Sequence, residues 1–525
     1  MTPLRRLFAS AAALFALSTA TAAPAELRIG TAIEPSSMDP HYYNTWSNVA
    51  TTFHIFDRLV GQDANQHLVP ALAESWRSLD DTTWEFKLRH DVRFHDGAPF
   101  TADDVLFTLQ RLPAVPNSPS SFSIYTAAIA RAEAPDPWTL RVTTKDAYPL
   151  LPVDFSLFAI MGRKQSGGTA PDGKTTAELN AGDGVIGTGP YRFVRWVRGD
   201  VLELARNPDY WAGAESWDRV MFRPIKQAGT RTSAFLSGEV DLIDGVPTAD
   251  VAGLRRNPQI NLFQTSTSRV MFVVFDSYAE PSPGVADADG RNPFKDPRVR
   301  VALSLAINRD AIIRQVMEGL AVPAAELARP GMFGADPELA PDPYDPGEAR
   351  RLLTEAGYPN GFRLTLGAPS DGFENASQLA QAIASMWTRI GVRTELSAWT
   401  INTFFQRRNK FEFSAYLSGA QVYTGEASFL LKALLATPDV AAGTGVINKG
   451  RYSNPAMDAL LAKAQHTLDD DARAVFLRQA SRLAMADHGL LPLYFTVATW
   501  AARKGLTMQP HADTGTYAMS VRPVD

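Results

Sequence analysis

Not one cysteine occurs in the 525 residues. Disulfides, thiol catalysis and zinc–thiolate sites are therefore excluded. A lipid-anchored form is excluded too, since it needs a cysteine at the cleavage site. Histidine is scarce, with eight residues in the whole chain. His41, His54 and His67 are scattered, and His90 and His95 lie across a strand and a turn rather than on one helix face. No metal site and no cofactor are expected from such a set. Beyond the N-terminal segment no apolar run reaches the 18 or more residues of a membrane span. No phosphate-cradling Gly-Lys-Ser/Thr loop and no Gly-x-Ser-x-Gly elbow occur. An excess of positive charge is also lacking. Lysine and arginine total 51 against 56 acids, a net charge of −5. Nucleic acid and anionic membrane surfaces are not expected partners for such a chain.

The first residues are informative. Arg5 and Arg6 precede a short apolar stretch over 7–17, and Ala20-Thr21-Ala22 follows as a small-x-small pattern. This is the layout of a secretory signal peptide over 1–22, with cleavage expected after Ala22. Export to the periplasm follows. About 500 further residues exceed what one core supports, so two or three lobes are expected.

Strand and helix signals interleave throughout, giving a mixed α/β class. Residues 84–89 alternate apolar and charged, a strand with one buried face. His95-Asp96-Gly97 is a turn. Thr101 with Asp104 predicts a capped helix start. Residues 182–187, Gly-Asp-Gly-Val-Ile-Gly, match a dinucleotide fingerprint by letter. They precede Thr188-Gly189-Pro190 and a strand rather than a helix, so a glycine loop feeding a strand is expected instead. Asn308, Asp345 and Asn454 predict helix caps, the last two followed by Pro at the first helical position. Leu379, Ile383, Met386, Trp387 and Ile390 share a helical face, and Trp387 and Phe476 are assigned to core. Residues 490–500 read as a late strand entering a core. Surface loops are expected over 166–172, 280–293 and 331–346.

Several segments together are specific enough to name a family. Residues 70–109 read PALAESWRSLDDTTWEFKLRHDVRFHDGAPFTADDVLFTL. They are followed in order by GTGPYRFVRW from Gly187, ARNPDYW from Ala205, DPRVRVALSLAINRDAI from Asp296, DPGEARRLLTEAG from Asp345 and RYSNPAMDALLAKA from Arg451. The chain resembles the extracellular solute-binding proteins of family 5, which include dipeptide, oligopeptide and nickel receptors. The resemblance implies an α/β, two-lobed periplasmic-binding-protein clamshell of type II-like form with an extra inserted α/β subdomain. Lobe I would comprise 24–55, 186–277 and 489–525. The inserted subdomain would be 56–185, and lobe II 278–488. A peptide or other small polar solute would be held between the lobes and passed to the permease subunits of an ABC importer, with the receptor a monomer and not an enzyme. A non-transport binding module on the same fold, such as a chemoreceptor partner or chaperone, is the alternative. A secreted hydrolase is more remote, because carboxylates can converge from distant positions.

The same resemblance nominates a cleft. Family peptide receptors hold the α-amino group with an aspartate ending a loop of the form Gly-Trp-x-x-Asp, with a tryptophan 22 positions upstream. Here that tryptophan is Trp399, Ser418 replaces the loop tryptophan, and Gln421 stands in place of the aspartate. An amide cannot neutralise a buried ammonium, which costs on the order of several kcal/mol when unpaired. Asp371, on the loop after a strand expected over 362–366, is a substitute acid. Glu34, Ser36, Ser37 and Met38 would run along the ligand, and Asn402 and Tyr423 would supply hydrogen bonds.

Overall fold

The computed structural model describes residues 25–167 and 173–524. The expected signal peptide and most of the 166–172 loop lie outside the described residues. Among the described residues no helix is long and apolar enough to cross a membrane.

The fold is organised by a large mixed sheet of twelve strands. From one edge the order is Val285–Ala286, Arg363–Pro369, Ala415–Gln421, Ile260–Phe275, Leu491–Arg503, Leu242–Ile243, Glu26–Thr31, Arg219–Pro224, Val201–Arg206 and Tyr191–Val197. Ala321–Pro323 and Arg393–Trp399 attach to it off this path. A separate four-stranded antiparallel sheet pairs Ala73–Ser78, Thr83–Leu88, Thr139–Thr144 and Ile129–Asp136. This is the two-lobed clamshell with an additional α/β subdomain.

The two long strands, Ile260–Phe275 and Leu491–Arg503, run through both halves. Their pairing register shifts between Ser266 and Val270. On the N-terminal side of that irregularity, Phe263 and Trp500 pack with the core that holds Leu27, Phe86 and Tyr191. On the other side, Met271, Val273, Leu491 and Tyr494 pack with Phe294, Leu366 and Trp387. The opposite face, Val270, Phe272 and Phe495, joins Tyr416, Leu430 and Leu477. The crossing between lobes therefore falls near Thr267 and Thr496, whose hydroxyls are hydrogen-bonded at 2.7 Å.

Local chemistry explains the element ends. Thr101 and Asp104 close a capping box on Ala102–Arg111. Asp345 accepts the Gly347 and Glu348 amides at the start of Pro346–Glu355. Asn454 does the same for Ala456 and Met457 before Pro455–His466. These side chains satisfy amides that the first helical turn leaves without partners. Trp387 is fully buried, as its helical face predicts, and Phe476 packs at the edge of a core. The strand Thr83–Leu88 departs from simple alternation. Glu85, expected on the wet face, is buried beneath Arg77, Arg141 and Lys87, whose stems cover it while their charges pair with it.

The fingerprint-like glycines feed the strand Tyr191–Val197 and not a helix. Gly187 passes so close to the backbone of Ile55 that an added Cβ would overlap the Ile55 carbonyl oxygen. At Gly189 the corresponding contact is 2.7 Å. Glycine is required here by backbone approach. Gly187→Ala is expected to cost about 1–3 kcal/mol or more, as overpacking does. A chemical-denaturation midpoint unchanged from wild type would refute this close packing.

Candidate functional site

A cavity of about 630 Å³ opens where the two lobes meet. Its floor is the crossing itself, with Thr267, Thr496 and Thr499. One wall comes from the segment after Glu26–Thr31 (Ala32, Ile33, Pro35), the first turn of the helix Trp46–Thr52, and the loops at 244–248 and 514–516. The other wall is Arg269 and Met271 on the long strand, Gly372, Phe373 and Glu374 on the loop after Arg363–Pro369, and Tyr423 just beyond Ala415–Gln421.

The lobes touch across this cavity. The rings of Trp46 and Tyr423 stack at 4.5 Å and 17°. Beside it, Gln62 and Gln66, from the stretch expected as the inserted subdomain, donate to the carbonyls of Tyr423 and Val422, at 3.0 and 2.8 Å. At another point Thr248 donates its amide and hydroxyl to Glu374 (3.3 and 3.4 Å), and Asn375 donates to the Thr248 hydroxyl at 3.0 Å. Stacked aromatics with a polar rim are a common way to enclose a small polar ligand.

Two arginines line the cavity, in different electrostatic states. Arg231 is buried and fully engaged. It donates to the carbonyls of Ile225, Lys226, Asp244 and Gly245 and lies 3.8 Å from the Asp244 carboxylate. Burial pushes the Asp244 carboxyl up, against the pull of the Ala32 amide and the Arg231 charge. Arg269 is half-buried and forms no ion pair among the described residues. Its Nε and Nη2 both donate to Gln421 Oε1, at 3.2 and 2.8 Å. The two residues face each other across adjacent strands. Gln421 is held in turn, donating to the Asp513 carbonyl at 2.8 Å. Burial pushes the Tyr423 phenol up, and the neighbouring Arg269 charge partly offsets this.

Of the ten residues nominated from sequence, Tyr423 lines the cavity. Gln421 stands one layer behind it, as the holder of Arg269. The others do not line it, for identifiable reasons. Glu34 accepts from the Trp196 indole and the Gly199 amide, closing a surface loop. Ser36 is bonded to Asn48, and Ser37 to Asn180. Met38 is fully buried in the core. Asp371 accepts the Ile401 amide at 2.6 Å, at the start of the helix Ile401–Asn409. Asn402 lies exposed on that helix. Trp399 donates to the Ser397 hydroxyl and lies under the Arg407 guanidinium at 4.2 Å. Ser418 is buried within its strand, opposite Phe272. Sequence reading missed Arg269, Trp46 and Phe373. A signal for Arg269 existed, as the lone charge immediately before an unbroken apolar run at 270–275.

A family model for bacterial extracellular solute-binding proteins, family 5, matches residues 67–441. The chain belongs to this family. Its members are binding proteins that work with ABC transporter permeases. One relative is the glutathione-binding protein GsiB of Pectobacterium atrosepticum, 30% identical over 86% of this chain and 85% of its own. The structure of HbpA2 from Haemophilus parasuis aligns with a TM-score of 0.80 at 24% identity, covering 95% of this chain and all of that one. The periplasmic murein tripeptide-binding protein MppA, in its unliganded open form, aligns with a TM-score of 0.78 at 25% identity, covering 95% and 97%. The interlobe position of the cavity is what this family's clamshell leads one to expect.

The described residues contain no group of three or more histidine or acidic side chains able to hold a metal ion. His90 stacks on Trp138 at 4.5 Å, and His95 bridges backbone groups of the Gly187–Gly189 turn.

Proposed function

We propose that this protein is the periplasmic receptor of an ABC importer, capturing a small peptide-like solute between its lobes and delivering it to the permease. The observation that carries this reading is the 630 Å³ cavity built from both lobes over the two shared strands. Its size falls within the range of roughly 300–1,000 Å³ typical of small-ligand sites. Closure of two lobes on a ligand is a hinge motion, and strands shared by both lobes are suitable hinges. The lobes correspond to 24–55, 186–277 and 489–525, and to 278–488, with 56–185 as the inserted subdomain. The change of core on either side of the Thr267–Thr496 contact supports two lobes joined through the shared strands.

The protein acts as a monomer, without cofactor or metal, and is not an enzyme. Its periplasmic location is supported by the Arg5–Ala22 pattern, and a soluble rather than lipid-anchored form by the absence of cysteine. A peptide-type ligand is supported by the relative named for glutathione, itself a tripeptide.

Native mass spectrometry of the protein purified from its own periplasm, before and after denaturation, tests the proposal. A solute of peptide-like mass, released on unfolding, is the expected result. Turnover of generic peptides by the purified protein would overturn it.

A further inference from the structure

Resting on the reading of the cavity as a solute site, we propose that its deep polar subsite receives a carboxylate of the ligand, through Arg269. The subsite thus has the opposite charge preference to one built around an aspartate for an ammonium group.

The argument starts from the fork of the guanidinium. Arginine offers five N–H donors along two edges. In Arg269 the Nε–Nη2 edge is spent on a single oxygen, Oε1 of Gln421. Among the described residues, no carboxylate or carbonyl oxygen meets Nη1; the Tyr423 phenol lies alongside the guanidinium as a neutral neighbour, so the Nη1–Nη2 edge has no anionic partner and faces the cavity that Arg269 and Tyr423 both line. That edge matches the two oxygens of a carboxylate in a bidentate, charge-assisted pair.

Gln421 is the second half of the device. Its oxygen fixes the guanidinium, and its nitrogen is anchored to the Asp513 carbonyl, so the side chain has one preferred orientation. Because it is neutral, it orients the positive charge without cancelling it. An aspartate at 421 would reach the same donors and neutralise them. Arg269 itself lines the cavity, with Phe373 beneath it at 5.9 Å from the ring centre. The other cavity arginine, Arg231, is not available, because backbone carbonyls and Asp244 occupy it. The subsite therefore presents one oriented cation to the ligand. A free α-amino group is not required there, and an acyl-capped peptide is accepted as readily as an uncapped one.

Equilibrium dialysis with mass spectrometric readout tests this with three pools of the same mixed tripeptides: free acids, C-terminal amides, and N-acetylated free acids. Wild type is expected to retain both acid pools alike, and the amide pool roughly ten- to a hundred-fold less. R269Q and Q421D should each lose the preference for acids, Q421D while keeping the arginine. Circular dichroism and thermal melts establish that both variants are folded. Equal retention of acids and amides by wild type, or an undiminished acid preference in folded R269Q, would overturn the assignment while leaving the solute-binding reading in place. No retention from any pool would sink the peptide-like reading and this inference with it.

Discussion

Between pH 7 and pH 4.5, wild-type protein is expected to lose about 2–3 kcal/mol more stability than a His54→Gln variant. His54 is completely buried. Its Nδ1 lies 3.1 Å from the carbonyls of Ala50 and Thr51, while its Nε2 accepts the Ala518 amide at 3.0 Å. Only a neutral ring, protonated at Nδ1, satisfies both sides. A second proton would point at the Ala518 N–H donor within a fully buried site. Burial accordingly pushes the imidazole down to about 4 from its ordinary 6.5. The sign follows from proton uptake. Above pH 6.5 the ring is neutral in both folded and unfolded chains and contributes no pH dependence. As pH falls from 6.5 toward 4, the unfolded chain binds the proton and the folded one does not, so stability declines over that window. Glutamine can both donate and accept without titrating. Urea unfolding of both proteins at the two pH values measures the difference, and identical pH dependence would refute the buried neutral ring.

The same arrangement recurs. His41 donates through Nε2 to the Ala159 carbonyl and accepts from Arg111 at Nδ1. His95 sits between the Gly189 carbonyl and the Gly187 amide. Both imidazoles are also pushed down to about 4, mainly by burial. The buried carboxyls of Asp57 and Asp154 are raised by burial and titrate in the opposite stabilising sense, which is why the comparison with a single-histidine variant is the informative one.

Arg111→Met is expected to destabilise the protein by about 3–5 kcal/mol, the cost of stranding a buried charge. Arg111 is almost fully buried and grips both oxygens of the fully buried Asp39, at 2.9 and 2.8 Å. It also donates to His41 and to the Lys174 carbonyl, at 3.0 and 3.1 Å. Burial pushes the Asp39 carboxyl up, but Arg111 pulls it down further, so it stays below the usual carboxylate range. This pair ties the N-terminal segment that borders the cavity to the end of the helix Ala102–Arg111 in the inserted subdomain. Without the guanidinium, the hydrogen bonds left to the Asp39 carboxylate among the described residues are those from the Thr176 hydroxyl and the His41 amide. Asp39→Asn in the Arg111→Met background should restore at least half of the loss, because the orphaned charge is then gone. A single-variant loss below about 1 kcal/mol would show that the pair is not the tie described.

Much of the architecture is legible along the chain because its causes are local. Asp345 followed by Pro346 and Glu348 starts a helix by its own chemistry. The Leu379–Ile390 face becomes core because a helix places those positions on one side, and the late apolar strand at 491–503 enters the cores. Glu85 is the instructive exception. Alternation places it on the wet face, but arginines from two neighbouring strands cover it, and the residues that do so are eight and 56 positions away.

The candidate site was less legible. The sequence marks Gln421 as a neutral amide where the resemblance leads one to expect an acid, but its contact with Arg269 is not legible there, because that partner lies 152 positions earlier on the adjacent strand. Trp399 and Asp371 carry suitable chemistry, but it is used locally, on Arg407 and on the Ile401 amide.

The sequence by itself determined the family, the mixed α/β class, the helix caps and the exclusion of thiol chemistry, since each depends on residue type or short spacing. The tertiary structure alone decided which groups face the cavity and with what charge. Strand pairing sets Arg269 against the neutral Gln421 and leaves its charge without an ion-pair partner among the described residues. Loop packing silences Arg231 by surrounding it with carbonyls. A side chain's availability depends on which distant partners reach it first, and only the folded chain fixes that competition.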